Sequence, residues 1–169
     1  MNRPEKNEYA EYYETYVSLV PAGDICTILT EQLNTSLKFL AEIDEHKANF
    51  RYAKGKWSVK EVVGHIVDCE RVFAYRALWF ARNDPQPLPS MDQDDFMTFS
   101  NFADRQLKDI CAEFSHVRQS NIILLNSFND EISRRKGKAS GTEMSVRAIA
   151  YILAGHERHH LNIIKERYI

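Results

Sequence analysis

The sequence is poor in glycine and proline, with six and five residues respectively in 169. Together they make roughly half the share usual in globular proteins. All-β folds need many turn residues, so this scarcity argues against a sandwich or barrel and favours helices. Beyond residue 30, proline occurs only at 85, 87 and 89. Cysteine is also scarce: Cys26, Cys69 and Cys111 are widely spaced, odd in number and without a CxxC pair. That excludes the disulfide framework of a small secreted protein. Charge of one sign is missing too, since 22 Lys and Arg against 24 Asp and Glu leave a net charge of −2. A nucleic-acid binder usually carries a strongly basic face, and none is indicated here. No apolar run is long enough to span a bilayer, and Met1–Lys6 leads into no apolar signal segment. The expectation is one domain over residues 1–169, placed in the reducing cytoplasm, with neither nucleic acid nor membrane as partner.

What is present is helical periodicity. With 44% hydrophobic and 27% charged residues, the composition is that of an ordinary globular protein. The first periodic segment opens at Asp24, a suitable N-cap, and carries Ile25, Leu29, Leu33, Leu37, Leu40 and Ile43 at three- and four-residue steps. The second begins with the capping box Ser58-Val59-Lys60-Glu61 and continues on Val62, Ile66, Cys69, Phe73, Arg76 and Phe80. It must stop near Asn83-Asp84, because Pro85-Gln86-Pro87-Leu88-Pro89 cannot continue a helix. The third runs from about Ala103 to Phe128 on Leu107, Ile110, Phe114, Val117, Asn121, Leu124 and Phe128. A polar loop, Ser133–Gly141, precedes the fourth, which is capped by Ser145 and carries Val146, Ile149, Leu153, His156, His160 and Ile163. The reading is an all-α four-helix bundle with one long central connection and a short N-terminal helical extension. In that extension Tyr9, Tyr12, Tyr13 and Tyr16 pack on the bundle or on a partner subunit.

The anomaly lies in the fourth segment, where two successive positions of the apolar stripe are His156 and His160. Their i,i+4 spacing points both imidazoles the same way. Buried imidazoles need partners, and one divalent metal satisfies both. A third ligand from a facing helix is His65, which lies between Val62 and Cys69. His46 and His116 have polar neighbours, and His159 lies beside the stripe. Only Gly64 and Gly155 fall inside helices, each directly before a proposed ligand, which suggests close helix approach at the level of the metal.

His156-Glu157-Arg158-His159-His160 also reads as HExxH, the zinc-protease signature. The residues that follow, Leu161-Asn162-Ile163-Ile164, lack the glycine and histidine of the extended form, and no strand is present to hold a peptide. Glu157 can touch a metal-bound water, although a solvated helix-face glutamate is the preferred reading. Cys69, four residues after His65, can close the site as a fourth ligand or simply fill core, and core is preferred.

Trp57-Ser58-Val59-Lys60-Glu61-Val62-Val63-Gly64-His65-Ile66-Val67-Asp68 and Gly155-His156-Glu157-Arg158-His159-His160-Leu161 resemble the two motif blocks of the DinB superfamily. The likeness covers nearly the whole chain in order and spacing. It implies a bundle of up-down-down-up connectivity, a three-histidine centre on His65, His156 and His160, and dimerisation. Similar members include bacillithiol S-transferases, mycothiol-dependent isomerases and metal-dependent hydrolases. The function implied is metal-dependent transfer of a low-molecular-weight thiol to a small electrophile. Hydrolysis of a small substrate, or a non-catalytic metal- or ligand-binding bundle, are the alternatives. Three histidines on Zn²⁺ or Ni²⁺ leave positions open for water or a thiol co-substrate. Around the site, Asp68 can hydrogen-bond an imidazole or a substrate, or be a solvated acid. Arg76 can face an anionic group of the ligand, or snorkel from the core. Met91–Phe96 can cover the site, or be an acidic solvent loop.

Overall fold

The four periodic segments form the four long helices of the computed structural model, which describes residues 1–169. They are α1 (Ile25–Leu40), α2 (Val59–Ala81), α3 (Leu107–Asn126) and α4 (Val146–Arg167). Three start where capping chemistry places them. Asp24 accepts from the Cys26 and Thr27 amides, Ser58 and Glu61 close a reciprocal capping box, and Ser145 accepts from the Ala148 amide. The start of α3 has no cap of its own. Its Leu107 amide donates to the Glu45 carboxylate at 2.7 Å, across the bundle end. It begins four residues later than the periodicity predicts, because Phe102–Asp104 turns separately and seats the Phe102 ring over Gly64.

The helices are not arranged in simple sequence order. Both α1 and α2 pack on α3 and α4, so α1 and α2, consecutive in the chain, lie diagonally across the bundle. The connection over residues 41–58 crosses one end. The N-terminal segment, with helical turns at Lys6–Glu8, Glu11–Tyr13 and Glu14–Val17, lies against α4.

One expectation fails. The polar loop before α4 is largely a β-hairpin of β1 (Lys136–Ala139) and β2 (Thr142–Ser145). Ser140 and Gly141 between them both take positive φ, +52° and +77°, as a tight two-residue hairpin turn requires. Leu88 of the proline segment pairs with its edge, donating to the Lys138 carbonyl at 2.9 Å. The strands are too short and polar to show alternation.

Candidate metal centre

The buried apolar residues form two clusters along the bundle. One gathers Ile25, Phe73, Phe80, Met144 and Ile149, and the other Leu33, Ile66, Ile110, Phe114 and Ile164. Between them each helix contributes buried polar side chains. These are Gln32 and Ser36 from α1, His65 and Glu70 from α2, Arg118 and Asn121 from α3, and His156 and Glu157 from α4. A polar layer thus divides the apolar interior, with the histidines at one side of it.

His65, His156 and His160 converge through the same ring atom. His156 Nε2 lies 3.1 Å from His65 Nε2 and 3.1 Å from His160 Nε2. Burial holds His65 at about 4. Burial, with the His65 and His159 imidazoles beside it, holds His160 at about 3. Burial and its histidine neighbours lower His156 as well. All three rings are therefore neutral at pH 7, the form that ligates metal. Three neutral rings cannot satisfy one another here, because a single lone pair on His156 Nε2 cannot serve two donors at full strength. A divalent ion about 2.1 Å from each nitrogen sets adjacent nitrogens roughly 3.0–3.4 Å apart, and the observed spacing falls in that range. The donor set therefore fits a metal.

Cys69 completes a buried group with His65 and His156 whose ligand atoms lie within 4.8 Å of one another. Its sulfur is 3.7 Å from His65 Nε2 and 3.8 Å from Nδ1. Near-equal distances to both nitrogens place the sulfur beside the ring and off the line of the Nε2 lone pair. Burial pushes its thiol up to about 12, so it is protonated at neutral pH.

The rings are held by aromatic contacts that the sequence did not signal. Trp57 packs on His65 at 5.0 Å between centroids, and Tyr16 meets His156 edge-on at 5.3 Å and His159 at 5.4 Å. Gly64 and Gly155 do permit close approach at the level of the histidines, of the Phe102 turn in the first case and of the helical turn Glu14–Val17 in the second, and not of another long helix. A Cβ at Gly64 would strike the Phe102 ring, and one at Gly155 the backbone of Tyr16. His46 and His116 are exposed, and His159 is half-buried.

Two cavities flank the histidines. One, of about 280 Å³, touches His65, His156, Cys69, Arg76 and the tyrosines Tyr12, Tyr13 and Tyr16. The other, of about 340 Å³, touches His160, Trp57, Tyr52 and Tyr168. Gln93, at the start of the helical turn Gln93–Thr98, borders both, and Met91 borders the first.

The remaining predicted residues separate. Arg76 is buried and lines the first cavity. Asp68 does not reach an imidazole. It is half-buried on another face, beside Phe99, Arg105 and Glu113 in a separate groove. Burial, together with the Glu113 charge, raises its carboxyl against the pull of Arg71 and Arg105. Glu157 is neither solvated nor at the imidazoles. It is wholly buried, pairs with Arg118 at 2.7 Å and accepts from Gln32 and Ser36. Arg118 in turn holds Glu70 through two bonds of 2.7 and 3.0 Å. The reason is that α4 is enclosed by α1, α2 and the N-terminal segment, so its second face is interior as well. Arg118 and Glu70 each lie one residue beyond a position of the expected stripe, Val117 and Cys69 respectively, so periodicity did not single them out.

A four-helix bundle with three inward imidazoles from two of its helices is a metal-site scaffold of a recognised kind. The chain belongs to the DinB superfamily, whose family model matches residues 28–164. No curated protein matches significantly. Among solved structures the fold is similar to that of YfiT from Bacillus subtilis, with 16% identity and a TM-score of 0.73 over 96% of this chain and 89% of that one. YfiT is described as a probable metal-dependent hydrolase with an unusual four-helix bundle topology. No helix here is long and apolar enough to cross a membrane.

Proposed function

We propose that this protein holds one divalent ion, Zn²⁺ or Ni²⁺, through His65, His156 and His160, and transfers a low-molecular-weight thiol to a small electrophile. The observation that carries the reading is the pair of cavities meeting at the three imidazoles, one on the His65–His156 side and one on the His160 side. Two organic molecules need two seats, whereas hydrolysis needs one seat and water. A bound divalent ion lowers the pKa of a thiol or water held against it, which supplies a nucleophile at neutral pH. The chain itself has no competing nucleophile there, since the Cys69 thiol stays protonated. The three neutral imidazoles leave positions open to ligand, and the tyrosines offer hydroxyls to orient it. Cys69 is core beside the centre in this reading, and the chain pairs as a homodimer, which sedimentation equilibrium tests.

Hydrolysis of a small substrate at the same centre is the second reading, favoured by the description of YfiT. A metal-loaded assay separates the two. A panel of thiols is offered with an epoxide or haloarene, and esters and amides are offered without thiol. Thiol-dependent adduct supports transfer, and thiol-independent cleavage replaces it with hydrolysis. Elemental analysis expects about one ion per chain, lost in His156→Ala and His160→Ala and severely reduced in His65→Ala. Metal retained by the triple variant would overturn the ligand set.

A further inference from the structure

We propose that the substrate is an acid, and that the cavity beside His65 and His156 seats its carboxylate on the guanidinium of Arg76. The inference deepens the reading above and rests on it for the metal.

Lys60, Arg76, Arg118 and Arg147 are each no more than 5% exposed. Lys60 pairs with Glu45, Arg118 with Glu70 and Glu157, and Arg147 with Glu8. Arg76 pairs with no carboxylate. A buried charge without a counter-ion is costly, and proteins retain one where it does work. Arg76 Nη2 donates to the Pro89 carbonyl at 3.0 Å and to Ser140 Oγ at 2.9 Å. That nitrogen ties the proline segment to the hairpin turn. Nε and Nη1 meet no carboxylate and no backbone carbonyl; the Tyr13 hydroxyl is the remaining polar group beside the guanidinium, and the two line the cavity with Tyr16 and Cys69. Its carbon Cζ lies 5.3 Å from the centre of the Phe73 ring, so the side chain leans back along α2 towards His65.

This seat suits a carboxylate. A planar guanidinium fork that holds no carboxylate of the protein matches two oxygens in one plane, with the Tyr13 hydroxyl beside it as a further donor. A phosphate dianion usually gathers several cations or a nest of backbone amides, and the cavity lining contains one cation. Eleven residues separate His65 from Arg76, about 16 Å along the axis, and the backward lean shortens this to on the order of 10 Å. The ligand is therefore a small acid whose metal-seeking atom and carboxylate stand about that far apart, a length several methylenes span.

The test uses full-length protein loaded with Co²⁺, titrated with 6-mercaptohexanoic acid and with its methyl ester and read by the sulfur-to-metal charge-transfer band. The expected result is that the acid binds at least tenfold tighter than the ester. In Arg76→Gln, which removes the charge and the fork while keeping a polar side chain, that preference disappears while ester affinity and metal content hold. Equal affinity for acid and ester in the unsubstituted protein would overturn the proposal, whatever the variant does. So would a variant that weakens both ligands alike, which is the signature of a structural staple. A phosphonate analogue binding tighter than the acid would overturn the choice of carboxylate. If neither thiol gives a band, the metal reading has failed, and calorimetry with 4-phenylbutyrate and its amide still decides the seat. Preference for the acid that is lost in Arg76→Gln supports it, and no preference refutes it.

Discussion

Substituting Gly155 with alanine sets two effects of opposite sign against each other. Alanine in a helix interior gains about 1 kcal/mol over glycine. Against this, a Cβ at 155 lies 2.0 Å from the Tyr16 carbonyl oxygen and 2.9 Å from its Cα. The Tyr16 backbone must retreat by roughly 1.4 Å to reach ordinary contact, and a backbone has no rotamer to escape through. Overpacking of this kind costs about 1–3 kcal/mol. The segment that must move also carries Val17 and Val20, which are 1% and 2% exposed. Each contributes about 1.5–3 kcal/mol when fully buried, so even partial loss exceeds the propensity gain. Gly155→Ala should therefore destabilise by about 2 kcal/mol, lowering Tm by about 4–8 °C for a chain of this size. Amide hydrogen exchange should show lost protection confined to the N-terminal segment, with α1 to α4 unchanged. A variant that melts at or above the parent temperature, with the segment still protected, would refute the account. It would mean that the segment docks loosely and that Tyr16 does not fix His156.

Cys69→Ala should leave the metal content unchanged and cost about 1–2 kcal/mol in urea unfolding, as a small core truncation does. With Co²⁺ bound, a sulfur charge-transfer band in thiol-free protein that vanishes in this variant would make Cys69 a ligand and the centre closed. Glu8 gives the acid limb of stability. Burial raises its carboxyl, but hydrogen bonds from Arg147, Ser145 and the Glu5 amide outweigh burial and lower it from 4.5 to about 2. The pair therefore stabilises fully above about pH 4.5 and loses its contribution, about 3 kcal/mol, as pH falls towards 2. Glu8→Gln should flatten that part of the stability profile, and a profile of unchanged slope would show that the pair carries no linkage.

The fold was legible wherever polar residues kept off the buried faces. Asp24, Ser58 and Ser145 start their helices as capping chemistry requires. In α3 the phase was misjudged. The stripe was read through Val117 and Leu124, which are half-exposed, whereas Arg118 and Leu125 are buried. Because Arg118 lies one position off the expected stripe, periodicity gives no sign of the ion pairs that cross the bundle. The hairpin was hidden for a different reason. Its one strong signal is the Ser-Gly pair at the turn, and four-residue strands leave no room for a period. Periodicity set His156 and His160 side by side, whereas His65, off the expected stripe, was singled out by its apolar neighbours and by the resemblance. Periodicity could not find Trp57 and Tyr16, because they lie outside the long helices and approach the rings from connections.

The second half of the polar layer bears on the first through its charge. Glu70 and Glu157 share the single cation Arg118, so this buried group carries one net negative charge. His156 and Glu157 are consecutive on α4, with side chains diverging by about 100°, which sets the imidazole cluster and the carboxylate on the order of 10 Å apart. A net charge of −1 at that distance attracts a divalent ion by about 3 kcal/mol at an effective dielectric of 20, and by about 1 kcal/mol in bulk water. The neutral imidazoles bring no charge of their own, so this is the nearest buried anionic group to the centre. Glu157→Gln keeps the side-chain volume, keeps an acceptor for Ser36, and leaves Arg118 its two bonds to Glu70. The variant should fold, while its affinity for Zn²⁺ in a competitive chelator titration should fall about five- to a hundredfold with one-to-one stoichiometry retained. Raising the salt concentration should not erase the difference, because a buried pair is screened far less than a surface one. Arg118→Met separates charge from packing: it leaves two unpaired carboxylates, so it should destabilise by about 3–5 kcal/mol. Where it still folds, it should bind metal at least as tightly as the parent. A Glu157→Gln protein with the parent's metal affinity would show that the layer holds the helices together and has no electrostatic share in the centre.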